Sequence, residues 1–355
     1  RNHPPARRDH AAQQQDAGTR VIREANHEKG EYIMAKLVTG GTGFIGACLV
    51  DQLLERGEEI VVLDRVQTNR WDHLQNKPKV IMADITNWPE VMNVFKDNQF
   101  DCVYHLAAML SLPSEANPWA AFQVNVVGTV NMLEAVRLFG PNKLILASTT
   151  GTYGLDIEDQ PAITDKTLQR PTTMYGSCKV YCELLGRFYN KKFDTDFRSV
   201  RIPSLVGPGI KTRAIGQYNS WMIQETALGN PYECYGPPDR GLPLIYFKDT
   251  AAAFCAIADA DKSRIKTLNY NIAGVNTSVT PAEIEQSVKK VIPDAVITYN
   301  PDPVVVNYFN TMRFDALDDT KAREEWGWQP QFNSVDAIVE DFVTAVREHR
   351  DRYGI

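Results

Sequence analysis

Lys36-Leu37-Val38-Thr39-Gly40-Gly41-Thr42-Gly43-Phe44-Ile45-Gly46 sets the architecture expected of the whole chain. A short apolar run leads into glycines at 40, 43 and 46. A helical pattern from Ala47 to Arg56 then stops at Gly57, and Glu59 to Leu63 forms a second apolar run ending at Asp64. Strand, glycine turn, helix and strand in that order make one βαβ unit. Gly40 permits the tight turn, Gly43 lets backbone approach a pyrophosphate, and Gly46 lets the helix pack on the sheet with its N-terminus toward the phosphates. Asp64 falls where a carboxylate can accept the hydroxyls of an adenosine ribose. The same carboxylate repels a 2′-phosphate, so the pattern implies NAD as cofactor, with Arg65 next door leaving NADP open.

Outward from this unit the alternation continues. Strands are expected near Val80 to Ala83, Cys102 to Leu106, Leu144 to Ala147 and Ser199 to Ile202. Helices are expected near Trp88 to Asn98, Trp119 to Phe139 and Met174 to Phe193. This predicts an α/β fold, a Rossmann-like, doubly wound parallel sheet. Beyond Pro203 the chain turns irregular and rich in Pro and Gly, with helices near Tyr218 to Leu228, Thr250 to Asp259, Pro281 to Val291 and Ser334 to His349. A smaller C-terminal substrate-binding lobe is expected there. Leu244 to Tyr246 and Asn269 to Ile272 read as strands returning to the main sheet, so the lobes are interleaved: 34–203 for the NAD-binding domain, with returning segments near 244–275, and 204–355 mainly for the substrate lobe. Residues 1–33 are polar and aperiodic and read as a disordered leader or vector-derived sequence. Met34 is expected to be the natural start, since Lys29-Gly30-Glu31 can be encoded by a purine-rich stretch resembling a ribosome-binding site.

The chemistry-bearing signal is Tyr175-Gly176-Ser177-Cys178-Lys179, a phenol and an ammonium four positions apart on one helix face. A phenol is a poor base at neutral pH, and lowering its pKa from about 10 to about 7 takes roughly 4 kcal/mol. A cation about 4 Å away at an effective dielectric of about 20 supplies that much. Tyr175 is therefore expected to take the proton of a substrate hydroxyl while hydride leaves the same carbon for a nicotinamide. A hydroxyl donor should steady the substrate oxygen, and Thr149 after the Leu144 to Ala147 strand is the candidate, with Ser148 and Thr150 as alternatives. Asp84-Ile85 reads as an adenine-contacting pair or as a plain strand-ending turn.

The chain has 355 residues, 43% of them hydrophobic, enough for a large core. Its net charge of −6 argues against a nucleic-acid or anionic-membrane partner and favours a small polar substrate. No apolar run approaches the ~20 residues of a membrane span. Six cysteines (Cys48, Cys102, Cys178, Cys182, Cys234, Cys255) lack CxxC pairs and His-rich spacing, so no metal site is expected and a reduced, cytoplasmic setting is the default.

Thr39-Gly40-Gly41-Thr42-Gly43-Phe44-Ile45-Gly46, His105-Leu106-Ala107-Ala108, Asn125-Val126-Val127-Gly128-Thr129 and the Tyr175 to Lys179 motif together resemble the extended short-chain dehydrogenase/reductase family, from Met34 to the C-terminus. The resemblance implies an NAD site lined by Gly40, Gly43, Phe44, Ile45, Gly46, Asp64, Asp84, Ile85, Leu106, Ala107, Ala108, Asn125 and Ile202, with Tyr175 and Lys179. It further implies substrate contacts from Ser111, Thr149, Tyr175, Ser204 and Arg240, and a homodimer pairing the Tyr175 helix and the helix around Val124 to Phe139 with their copies. Within that family, Met109-Leu110-Ser111, Gln169-Arg170-Pro171, Asp196-Phe197-Arg198-Ser199 and Leu242-Pro243-Leu244-Ile245-Tyr246 are similar to the short-chain type of L-threonine 3-dehydrogenase. One departure is Gln217-Tyr218-Asn219-Ser220-Trp221, where that type has adjacent threonines and an aspartate. Another is Val206-Gly207-Pro208-Gly209, which resembles a turn of nucleotide-sugar epimerases and dehydratases. Their diphosphate-binding arginine corresponds to Leu242 here, leaving Arg240 to substitute. The expected function is NAD-dependent oxidation of a secondary hydroxyl on a small β-hydroxy amino acid or hydroxy acid. The alternatives are a nucleotide-sugar epimerase or dehydratase, and a cofactor-sensing regulator without catalysis.

Overall fold

The computed structural model describes residues 34–155 and 160–355; the expectation for 1–33 lies outside them. In chain order the elements of the N-terminal part are β1 (Ala35–Thr39), α1 (Phe44–Glu55), β2 (Ile60–Asp64), β3 (Lys79–Met82), α2 (Trp88–Asp97), β4 (Phe100–His105), α3 (Ser111–Ala116), α4 (Pro118–Ala121), α5 (Gly128–Phe139), β5 (Lys143–Thr149), α6 (Met174–Phe193) and β6 (Asp196–Ile202). The C-terminal part adds β7 (Ser204–Val206), α7 (Tyr218–Ala227), β8 (Tyr232–Cys234), β9 (Leu242–Tyr246), α8 (Phe247–Asp259), β10 (Asn269–Asn271), β11 (Val275–Val279), a helix Pro281–Val291 and β12 (Ile297–Tyr299). Helices Pro303–Thr311, Thr320–Trp326 and Val335–Glu348 follow.

Seven parallel strands form the main sheet in the order β10-β6-β5-β4-β1-β2-β3. Their side chains alternate between two cores. Leu37, Val61, Leu63, Val103, Leu144 and Leu146 point to the face covered by α2, α5 and α6; Val38, Val62, Tyr104 and Ile145 point to the face covered by α1, α8 and the C-terminal part. Burial on both faces is why β2 and the Leu144 to Ala147 part of β5 are nearly continuous apolar runs. The strand order reverses between β1 and β4, so the loops after these two strands diverge and leave a crevice at their C-terminal ends, the place where doubly wound sheets bind ligands.

Two expectations need correction. Asn269–Asn271 does return to the main sheet beside β6, but Leu242–Tyr246 does not. It pairs with β7 and β11 in a separate three-stranded sheet, parallel to one and antiparallel to the other. An apolar strand needs only some partner edge, and its composition does not say which. The stretch expected as one helix from Trp119 is interrupted by a π-helical turn at Phe122–Val127 between α4 and α5. Such turns displace one residue from the ordinary ladder and recur at functional sites.

Candidate active site

The glycine loop and the loop after β4 meet at the crevice. Gly40 has φ +70, and a Cβ there would lie 2.7 Å from the Ala107 nitrogen. At Gly46 a Cβ would fall 2.1 Å from the Gly40 carbonyl oxygen, so the first turn of α1 rests directly on the loop. Gly43 caps α1 with no side-chain acceptor, and no acidic residue occupies the first turn. A bare helix N-terminus beside a glycine cradle fits the phosphates of a dinucleotide. Phe44 and Ile45 open that helix, and the Phe44 ring lies 5.5 Å from that of Phe247.

Asp64 does more than stand at the strand end. Its Oδ2 accepts the Thr42 N–H at 3.0 Å and its Oδ1 the Arg65 N–H at 2.7 Å, so the carboxylate ties the glycine loop to the loop after β2. Oδ1 also accepts the Val66 N–H at 3.3 Å, so of about four acceptor positions on a carboxylate one is left for a ribose hydroxyl. Arg65 turns toward Asp84, with Nε 3.5 Å from Oδ2, while Oδ1 of Asp84 accepts both the N–H and the hydroxyl of Thr86. The Ile85 side chain is buried against Gly128, and its carbonyl accepts Asn131 Nδ2 at 2.8 Å.

Leu106, Ala107 and Ala108 follow β4, held by the Leu106 N–H on the Thr39 carbonyl and the Ala107 N–H on Thr39 Oγ1. Asn125, in the π-helical turn, spends its amide on Met109, accepting its N–H at 2.7 Å and donating to its carbonyl at 3.0 Å. It therefore shapes the loop after β4. Sequence reasoning assigned no role to the buried relay beneath. Thr129 donates its only proton to the Asn125 carbonyl at 2.6 Å, so His105 Nε2, 3.0 Å from Thr129 Oγ1, must be the protonated nitrogen. His105 Nδ1 then accepts the Thr39 hydroxyl at 2.8 Å. Burial, with the Lys179 charge adding to it, drops this imidazole to about 3, and it is neutral.

On α6, Tyr175 and Lys179 share a face. The helix begins where Thr173 Oγ1 accepts the Gly176 N–H, and where Glu115 of α3 accepts the Met174 N–H at 2.7 Å. The Lys179 Nζ donates to the Ala147 carbonyl at 2.7 Å and lies 5.8 Å from the centre of the Tyr175 ring. Burial pushes the phenol above its ordinary range and the ammonium below its own. The tyrosine is therefore neutral until further positive charge is placed beside it.

Thr149 ends β5, and its hydroxyl oxygen accepts the Gly151 N–H at 3.1 Å, leaving its proton to donate. Ser148 turns to the opposite face and donates to Glu183 at 2.5 Å, while Thr150 reaches the Ile202 carbonyl at 3.5 Å. Ile202 is the register partner of Thr149 on β6. Ser111 opens α3 and is half-buried; Ser204 opens β7, and a Cβ on Gly216 would sit 2.6 Å from its hydroxyl. Arg240 is exposed in the turn before β9, four positions ahead of Leu244, the register partner of Ser204.

The family described as NAD dependent epimerase/dehydratase matches residues 36–273. The mitochondrial L-threonine 3-dehydrogenase of Bos taurus is 32% identical over 302 residues, 84% of this chain and 79% of that protein. An uncharacterized epimerase/dehydratase of Staphylococcus haemolyticus is 30% identical over 303 residues, 84% of this chain and 93% of its own. Among solved structures, the holo form of L-threonine dehydrogenase from Cupriavidus necator superposes with a TM-score of 0.80 at 29% identity, covering 88% of this chain and 99% of that one.

Proposed function

The chain belongs to the NAD dependent epimerase/dehydratase family, as an NAD-dependent enzyme of the extended short-chain dehydrogenase/reductase type, and on that footing we propose that it oxidises a secondary hydroxyl of a small β-hydroxy amino acid or hydroxy acid. The observation that carries this reading is the assembly of Tyr175, Lys179 and Thr149 around the end of β5, beside the glycine-loop crevice. The likeness to L-threonine 3-dehydrogenases supports the substrate class.

Bound in the crevice, NAD supplies the hydride acceptor and a positive ring. Tyr175 takes the proton of the substrate hydroxyl. Lys179, held by Ala147, adds the near positive charge that a partly buried phenol needs to act as a base. Thr149, its oxygen already committed to Gly151, donates toward the substrate oxygen. Gly40 to Gly46 hold the phosphates and Asp64 the adenosine ribose. Ser111 and Ser204 are proposed substrate contacts, and Ile202 supports the strand end they flank.

The nucleotide-sugar reading keeps one specific support, an exposed Arg240 with the Val206 to Gly209 turn. The deciding experiment incubates purified protein and NAD with a panel of hydroxy acids and β-hydroxy amino acids, and separately with nucleotide sugars. NADH growth with one small alcohol establishes the dehydrogenase. A converted nucleotide sugar without net NADH overturns it.

A homodimer forms part of the proposal. The outer face of α6 carries Tyr181, Leu184 and Phe188, all at least half exposed, and Trp119 is 72% exposed nearby in sequence to the π-helical turn. Apolar stripes of this kind mark association surfaces. A reducing, cytoplasmic setting is proposed from six buried free thiols. No helix among the described residues is long and apolar enough to cross a membrane.

A further inference from the structure

The stripe that carries Tyr175 and Lys179 continues one more turn to Glu183. A lysine and a glutamate four apart on a helix are natural ion-pair partners, yet here they are not paired. Lys179 donates to the Ala147 carbonyl instead. The reason is on β6. Arg201 grips Glu183 with two points of its guanidinium, Nε on Oε1 at 3.0 Å and Nη2 on Oε2 at 2.6 Å. Ser148 adds a donor to Oε1 at 2.5 Å and Gln169 one to Oε2 at 2.9 Å. All four acceptor positions of the carboxylate are filled, in a place where Glu183 is 0% exposed and its partner's side chain 3%. Arg201 is fixed in turn by the Tyr153 hydroxyl at 2.7 Å and the Asp165 carbonyl at 3.1 Å.

We propose that Arg201 is a positioning residue for the reaction: by saturating Glu183 it keeps that carboxylate off Lys179, so the ammonium stays with the Ala147 carbonyl and the Tyr175 ring. The inference rests on Tyr175 and Lys179 having the roles given above. The titratable and charged groups around the ammonium are Glu183, Cys178 and Cys182 on its own helix and the neutral His105 on β4, with Arg201, Tyr153 and Asp165 beyond Glu183. Of these, only Glu183 is an anion close enough to capture it.

The test compares Arg201→Met with the double variant Arg201→Met/Glu183→Gln through the pH dependence of kcat/KM. In the single variant Glu183 takes the ammonium, Tyr175 loses its cation, and the acid limb moves up by about one pH unit, with about a tenfold loss at neutral pH. In the double variant no anion competes, and the limb returns to the wild-type position even though two buried groups have changed. A purely structural pair would lower the amplitude without moving the limb. An unmoved limb in the single variant, or a displaced limb in the double, overturns the inference. Should the single variant not fold, Arg201→Gln replaces it, since an uncharged amide cannot saturate Glu183 as the guanidinium does; the same upward displacement is expected, and an unmoved limb overturns the inference. If the wild-type protein oxidises no alcohol, it is the proposed activity that has failed. The Tyr175 ionisation then carries the comparison, read as the tyrosinate absorbance difference between each protein and its Tyr175→Phe counterpart.

Discussion

Gly40 and Ala107 lie in such close contact that a single methyl group on the glycine would sit 2.7 Å from the alanine nitrogen. The contact joins the loops after β1 and β4, the two parallel strands at which the strand order reverses, and so it lies at the floor of the cofactor crevice.

Gly40→Ala should therefore damage cofactor binding first. The left-handed backbone at φ +70 costs an alanine about 1 kcal/mol, and the clash forces the two loops apart. NAD affinity, followed by fluorescence titration, is expected to fall by at least about tenfold, equivalent to about 1.4 kcal/mol. Wild-type affinity would show that the loops are not the cradle.

Tyr175→Phe removes only the proton-transfer group. Turnover should drop by about 10³-fold, within the range for a lost general base, while NAD affinity stays within about twofold of wild type. Retained turnover would assign the base to another residue.

Lys179→Met should impair both steps. It removes the cation beside the phenol and leaves the Ala147 carbonyl without its donor, a loss of about 1–3 kcal/mol for a buried acceptor. Separate measurements of kcat and NAD affinity are expected to show both reduced; unaltered affinity would confine the lysine to the proton step.

Asp64→Ala should weaken NAD and narrow the discrimination against NADP. The same change frees the Thr42 and Arg65 N–H groups, so looser order in both loops accompanies it. Equal NAD-to-NADP preference before and after would place selectivity elsewhere.

His105 supplies a pH test of stability. Its folded pKa of about 3 lies below the ordinary value of 6.5, so between these limits the unfolded chain binds a proton that the folded one does not. Its contribution is intact above about pH 6.5 and is lost as pH falls below it, at up to about 1.4 kcal/mol per pH unit. Urea midpoints at neutral and mildly acidic pH, compared with those of His105→Asn, isolate this from opposing titrations such as Asp165, whose carboxyl burial raises to about 6. The variant should lose less stability on acidification.

The βαβ opening, the parallel alternation through Ile202 and the Tyr175 to Lys179 helix are legible in the chain alone, because each is written in a local period or in glycines whose spacing a turn requires. Met174–Phe193 and Pro281–Val291 appear with the expected bounds for the same reason. Long-range packing set the pairing of Leu242–Tyr246 with β7 and β11, and it turned Ser148 away from the crevice while Thr149 ends the strand beside it. The same packing put Arg201, eighteen residues on, against Glu183 and Lys179 against the Ala147 carbonyl. These outcomes depend on which strand edges and side-chain faces meet across the fold. Segments distant in the chain carry no mutual signal until packing brings them within hydrogen-bond reach.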